Sequence, residues 1–426
     1  MNIKNKDLRD AMEKLSIRVF EIYNTIFGDN FRTYDNLQIS IILHQQEENI
    51  KKIDEFQEAV RLMKADQSVN NVLGKLVGTL LQKSSVGTAD ECILGFLEQL
   101  FLRTKKFDIY EFNNFYMRFE ELFCSDKLYF VDTVRLHNFE SEEETIELEH
   151  GLIIKRAPQL IDEQTRMHEM KYKPYAQFSR SDFIIERRYS RPKRVGDDKV
   201  KVDSAEFSQE ASDSGDLFDF VIKSLRIFKS SAVFRDQTIT TETLTFIRYA
   251  GIISRFPFNE NIVLGNKCIL TVTDAEEFKK MFSKIKKENN QRFRISFNRL
   301  SYGLEKKLNE DKLLDYMIGL EALYLPAKND ELSFRLSLRT AFILEGNMSE
   351  RKKSFKFIKR MYKQRSNVVH GSRYVLTAED DSKLEEILRR SLKVWLEDAD
   401  KFSEDQYDNK GILIKEGLLD NIYFKE

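Results

Sequence analysis

The sequence predicts an α+β protein of several domains: a helical amino-terminal region, a β-containing middle domain and an all-α carboxy-terminal bundle. Three observations lead there. Apolar residues recur every three or four positions towards both ends, the period of an amphipathic helix. Short β-branched and aromatic runs, partly alternating in polarity, fill the middle. All five prolines (Pro158, Pro174, Pro192, Pro257 and Pro326) fall between residues 158 and 326, so both ends lack the residue that interrupts helices. The chain has 426 residues, room for two to four domains of roughly 100–200 residues each.

Residues 1–125 read as the helical region. Leu8, Met12, Leu15, Val19, Ile22 and Ile26 form one stripe over 6–27, and Ile50, Ile53, Phe56, Val60 and Met63 another over 46–64. Further helices are predicted near 69–83, 89–103 and 109–124. Residues 126–272 read as the β-containing domain. KLYFVDTVRL, TIELEHGLIIKRA, DFIIERRYSR and SAVFRDQTITT carry strand composition. The acidic run ESEEETIELE fits a solvated edge or turn better than a metal site. Residues 192–216 hold almost no large apolar side chain and read as a polar loop or linker. LFDFVIKSLRIF, just after, reads as one short helix.

Residues 273–426 read as a helical bundle. Thr273–Asp274–Ala275–Glu276 fits a capping box that opens a helix to about 288. Phe293, Phe297, Leu300 and Leu304 mark the next helix. Leu313, Met317, Leu320 and Leu323 mark a third, closed by Pro326. A helix over 331–345 precedes a long one over 350–370, which Gly371 terminates. The last helix starts at Thr377–Asp380, with Leu384, Leu388 and Trp395 on its core face.

Composition excludes several classes. Lys+Arg is 69 and Asp+Glu is 70, a formal charge of −1, so the chain is not a uniformly basic nucleic-acid binder, although a local basic patch is allowed. No stretch approaches the ~20 apolar residues that span a bilayer. The start, MNIKNKDLRD, is charged at once, unlike a signal peptide, and a cytoplasmic, non-membrane protein is expected. Cys92, Cys124 and Cys268 are far apart and odd in number, which argues against a disulfide framework or structural zinc and for small core residues. His44, His137, His150, His168 and His370 have no metal-ligand spacing. Phosphate-binding glycine loops and the GxSxG elbow are absent as well. No metal and no cofactor is expected.

One segment carries chemistry: MYKQRSNVVHGSRY, residues 361–374, where four residues separate Arg365 from His370. Together with GLEALYLP, ELSFRLSLRTAFIL and FKFIKRMYKQRSNVVHG, it resembles the HEPN superfamily, in particular its Apea-like branch, over roughly residues 290–400. The matching pattern is R-x(4–6)-H at the end of a long helix. The position after the arginine, Asn, Asp or His in many active members, is Ser366 here.

The resemblance implies a HEPN-like bundle and a metal-independent RNA endonuclease, with Arg365 and His370 catalytic and Ser366 accessory, in a cleft where two protomers meet. It also implies a toxin-like, abortive-infection or antiviral-defence effector. In that case a homodimer forms through the carboxy-terminal bundle, and the amino-terminal region meets a protein or phage-derived trigger. The alternative is a non-catalytic HEPN module that dimerises or binds RNA in a regulatory or scaffold protein.

The residue types suit such chemistry. RNA supplies its own nucleophile, the ribose 2′-OH. Histidine can carry protons near neutrality, and arginine offers a permanently charged fork to phosphate oxygens. Between Arg351 and Arg365 stand eight basic residues and no acidic one, a run that could equally be a solvated helix face. Of these Lys356, Lys359, Arg360 and Lys363, with Arg373 beyond the motif, are the expected RNA contacts. Glu321, Arg335 and Arg339 stand among apolar helix residues and read as an inter-helix charge pair or triad, or as a group positioning Arg365. Five residues at about 100° each put Arg365 and His370 about 140° apart on one helix. Either the last turn unwinds before Gly371, or the two side chains converge through a second chain.

Overall fold

The computed structural model describes residues 3–28, 36–78, 83–156, 180–196, 204–235, 238–242, 253–255, 265–325, 331–403, 406–407, 413–415 and 417–419. Within them the chain is a mixed α+β protein. Pro326, expected to close a helix, lies outside the described residues, as does His168.

The amino-terminal part packs α1 (Lys6–Phe27), α2 (Asn36–Gln45), α3 (Glu47–Ile50), α4 (Asp54–Ala65), α5 (Gln67–Asn70), α6 (Ala89–Thr104) and α7 (Ile109–Cys124). The predicted stripe of α1 is buried at Leu8, Met12, Leu15 and Val19, whereas Ile26 is exposed. Thr88 and Glu91 form a full capping box at the start of α6. Two expectations are corrected. The helix predicted over 46–64 is broken between Ile50 and Asp54, and α4 restarts it. The helix predicted over 69–83 is not one. After the one-turn α5, Gly74 takes a left-handed backbone with φ +70, which suits glycine and ends helices. Leu76–Gly78 (β1) then pairs antiparallel with Lys83–Ser85 (β2).

The middle part is built on a mainly antiparallel sheet. Its strands are β3 (Lys127–His137), β4 (Phe139–Ser141), β5 (Thr145–Glu147), β6 (Leu152–Arg156), β7 (Arg180–Pro192), β8 (Arg194–Gly196), β9 (Phe234–Arg235), β10 (Thr238–Glu242), β11 (Ile253–Arg255) and β12 (Cys268–Leu270). The large sheet runs β11-β10-β3-β7-β6-β5, with β9 also on β3. β8 leaves it to pair with β1, and β12 lies parallel to β4. The polar stretch 192–216 departs from a loop at both ends: β8 is a strand, and from Ser204 the chain is helical through Phe228 as α8. Phe218, Val221, Ile222 and Leu225 anchor the second half of α8 on the sheet. Once that half is fixed, extending a helix costs little per residue.

The carboxy-terminal part holds α9 (Val272–Lys287), α10 (Gln291–Glu305), α11 (Asn309–Tyr324), α12 (Leu332–Leu344), α13 (Met348–Val369) and α14 (Ala378–Glu397). α9 opens two residues earlier than predicted, because the capping box uses Thr271 with Asp274. Phe278 and Phe282 of α9 pack with the sheet, while Ile285 joins the bundle core. α10 packs on α11 and α12 on α13. A Cβ on Gly319 would stand 2.8 Å from Leu388, so glycine sets the approach of α11 to α14. β13 (Gln406–Tyr407) and β14 (Leu413–Lys415) pair beyond the bundle.

Buried arginines tie the bundle to α8. Arg226, 2% exposed, donates to the Val233 carbonyl at 3.0 Å, Ser301 Oγ at 2.5 Å and Glu305 Oε1 at 2.6 Å. Arg389 donates to the Arg226 carbonyl at 2.9 Å. Cys92 and Cys268 are buried thiols, both pushed up to about 12 by burial. Cys124 is half-buried, and all three are free. No helix among the described residues is long and apolar enough to cross a membrane.

Candidate functional site

α13 carries the Arg365–His370 segment. It starts at Asn347, whose side chain accepts from the Glu350 amide, and stays helical through Val369. His370 is its C-cap. Gly371 adopts φ +65, and the Gly371 and Ser372 amides donate to the carbonyls of Val368 at 3.2 Å and Asn367 at 2.8 Å. This pair of bonds is a Schellman closure. The last turn therefore does not unwind before Gly371, and the helical separation of Arg365 and His370 stands.

The two residues face different surroundings. Ser354, Phe357, Ile358 and Met361 are the buried residues of α13, and at about 100° per residue Arg365 falls on their side. Its Nη2 lies 3.8 Å from Glu321 Oε2 on α11. Arg365 Nε and Glu321 Oε1 are both buried, without a hydrogen-bond partner among the described residues. Burial raises the Glu321 pKa, and the Arg365 charge opposes that rise. Tyr362 is affected likewise: burial and the Glu321 charge raise its pKa, against the effect of Arg365. The Arg365 side chain is still 29% exposed, so the guanidinium is not sealed. His370 is exposed, on the opposite side of the helix.

The basic run divides in two. Lys352, Lys356, Lys359 and Lys363 are exposed, and none pairs with a described acidic residue. With His370 they fall within an arc of about 60° on the helix. Four lysines therefore form one ridge, with the imidazole in line at its carboxy-terminal end. Ser366, half-buried, borders the ridge about 40° from the His370 line. Arg360 is engaged otherwise: its Nη1 donates to Asp380 Oδ2 at 3.0 Å and Nη2 to Oδ1 at 2.5 Å. Arg351 donates to the Glu345 carbonyl at 2.9 Å and lies over the Phe342 ring. Arg373 is exposed in the loop after Gly371. Lys352 shares this line, although it was not among the residues expected from the sequence. Its spacing of four, seven and eleven residues to Lys356, Lys359 and Lys363 was the available signal.

Of the group expected around Arg365, Glu321 lies 3.8 Å from it. Arg339 is 1% exposed, and it donates to the carbonyls of Leu419 at 3.2 Å and Tyr324 at 2.5 Å. It thus serves the end of α11. Arg335 is half-buried in the first turn of α12. The cation facing Glu321 is Arg365.

Among the described residues no group of three or more His, Cys, Asp or Glu is placed to hold a metal ion. Comparison of the chain with protein-family models, curated proteins and solved structures finds no match.

Proposed function

We propose that the chain is a HEPN-type, metal-independent RNA endonuclease acting as a toxin-like or antiviral-defence effector, with a site completed by two copies. The observation that carries this reading is the exposed His370 imidazole at the end of an exposed lysine ridge. The ridge holds a phosphate backbone through charge and brings a phosphodiester to the imidazole.

The ribose 2′-OH attacks phosphorus, the O2′–P bond forms and the O5′–P bond breaks. His370 carries a proton for this exchange, taking it from the 2′-OH or giving it to the departing 5′ oxygen. Arg365 stabilises the extra negative charge on the phosphoryl oxygens. Because Arg365 and His370 face opposite sides of α13, the arginine beside a given His370 comes from the second copy. The products are a 2′,3′-cyclic phosphate and a 5′-OH. The amino-terminal region and the sheet, whose helix α8 is tied to the bundle through Arg226 and Arg389, receive the trigger.

The test is RNA cleavage in EDTA with product ends mapped. Wild type cleaves, and His370→Ala loses about 10²–10⁴-fold in rate. Normal cleavage by both His370→Ala and Arg365→Ala overturns the assignment.

A second reading is a module that binds RNA without cutting it. It is favoured by the Glu321 carboxylate, which holds Arg365 on the core-facing side. RNA bound and recovered intact from nuclease-free wild-type protein would select it.

A further inference from the structure

The loop after His370 is built as a rigid flank to the lysine ridge. The Ser372 amide closes back on Asn367. Asn367 Nδ2 donates to the Arg373 carbonyl at 3.0 Å, and the Val375 amide donates to Gln364 Oε1 at 3.0 Å. Thr377 and Asp380 then cap α14. Gln364 and Asn367 lie about 60–120° round α13 from the His370 line. The loop thus doubles back beside the last two turns, next to the lysines.

This flank exposes apolar surface. Val369 is 53%, Tyr374 39% and Val375 63% exposed. Tyr374 is the aromatic among them, and its backbone is pinned on both sides, by the Asn367 bond to the Arg373 carbonyl and the Gln364 bond to the Val375 amide. The ring it carries is exposed to solvent. A cationic track beside an exposed aromatic ring on a hydrogen-bonded loop suits an unpaired strand: phosphates follow the charges and a base stacks on the ring. A duplex keeps its bases stacked internally and has no use for such a ring.

We infer that Tyr374 is the stacking platform for an unpaired base next to the phosphate at His370, which makes single-stranded RNA the ligand class. This rests on the proposed RNA-directed role of the ridge. From Tyr374 onward in the binding path, specificity is for strandedness.

The test uses the full chain and a fluorescent 2′-O-methyl single strand, which lacks the nucleophile and reports binding alone, with the matching duplex alongside. Tyr374→Ala should bind the single strand about tenfold more weakly. Tyr374→Phe should stay within about twofold of wild type, and neither should change duplex binding. Phenylalanine as weak as alanine would show that the hydroxyl, not the ring face, matters and would overturn the inference. Equal binding by Tyr374→Ala and wild type would overturn it too. Cleavage is scored separately on ordinary RNA: uncut RNA with the tenfold effect intact refutes the nuclease and supports the platform. Wild type that binds no single strand refutes both.

Discussion

The Arg365 guanidinium lies 3.8 Å from the Glu321 carboxylate, across the contact of α13 with α11, while His370 on the same helix is open to solvent. The two halves of the R-x4-H pattern therefore have different dependencies. Arg365 offsets the burial of a carboxylate. Among the described residues the His370 side chain holds no hydrogen bond or ion pair, and only its backbone amide is engaged, by the Ser366 carbonyl.

This separates stability from chemistry. Arg365→Ala leaves Glu321 buried with no facing cation, raising its pKa further, and should cost about 1–2 kcal/mol, reduced from a fully buried pair because both side chains keep some solvent. His370→Ala should fall within about 0.5 kcal/mol of wild type. Denaturant unfolding of both variants measures this, and equal stabilities would show that Glu321 does not depend on Arg365.

Two adjacent aspartates should respond to pH with opposite sign. Arg360 holds Asp380 below the usual carboxylate range, so its pair stabilises above about pH 4 and fades as pH falls through its lowered pKa. Burial pushes Asp381 up to about 6, against Lys312 and with help from Asp380, Glu310 and Glu385. Between about pH 4 and its folded pKa, the unfolded chain has released this proton and the folded chain has not, so stability falls as pH rises. At pH 7.5, Asp381→Asn should be more stable than wild type by about 1 kcal/mol and Asp380→Asn less stable by a similar amount. Both differences should shrink below about pH 4. Melting curves across that range would expose a wrong sign for either.

Where a helix buries one regular stripe, as in α1 and α14, the sequence is nearly sufficient. It fails where local signals are degenerate or the partner is distant. Thr271 with Asp274 and Thr273 with Glu276 both fit the same box pattern, and only β12, ending at Leu270, selects the first. Leu76–Gly78 becomes a strand because residues 194–196 pair with it. At the site, the angular separation of Arg365 and His370 followed from helix geometry alone. The Glu321 partner required the α11–α13 contact, and the engagement of Arg360 required Asp380, twenty residues away. No local pattern encodes either.

The ridge predicts a salt signature. Each phosphate contact on single-stranded nucleic acid contributes about 0.7 to the slope of log affinity against log salt. Replacing Lys359 and Lys363 together with alanine should lower that slope by about 1.4 and leave the fold intact. Arg360→Ala should instead lower stability, since its guanidinium is held by Asp380. Binding titrations at several salt concentrations check this. An unchanged slope in the double variant would remove the ridge from the RNA path.

The turn that ends α13 should be sensitive through backbone conformation alone. Gly371 has φ +65, and a Cβ there would meet nothing within 4 Å, so alanine creates no clash. Its cost is the left-handed backbone, about 1 kcal/mol, with asparagine milder. The Gly371 and Ser372 amides close the Schellman turn, so their hydrogen exchange should accelerate in Gly371→Ala while amides in the middle of α13 stay protected. The loop bearing Tyr374 and the cap bearing His370 share that turn. Loosening it should therefore weaken single-strand binding and slow cleavage together. A variant with faster exchange at these two amides and unaltered cleavage would show that the imidazole is positioned without the turn.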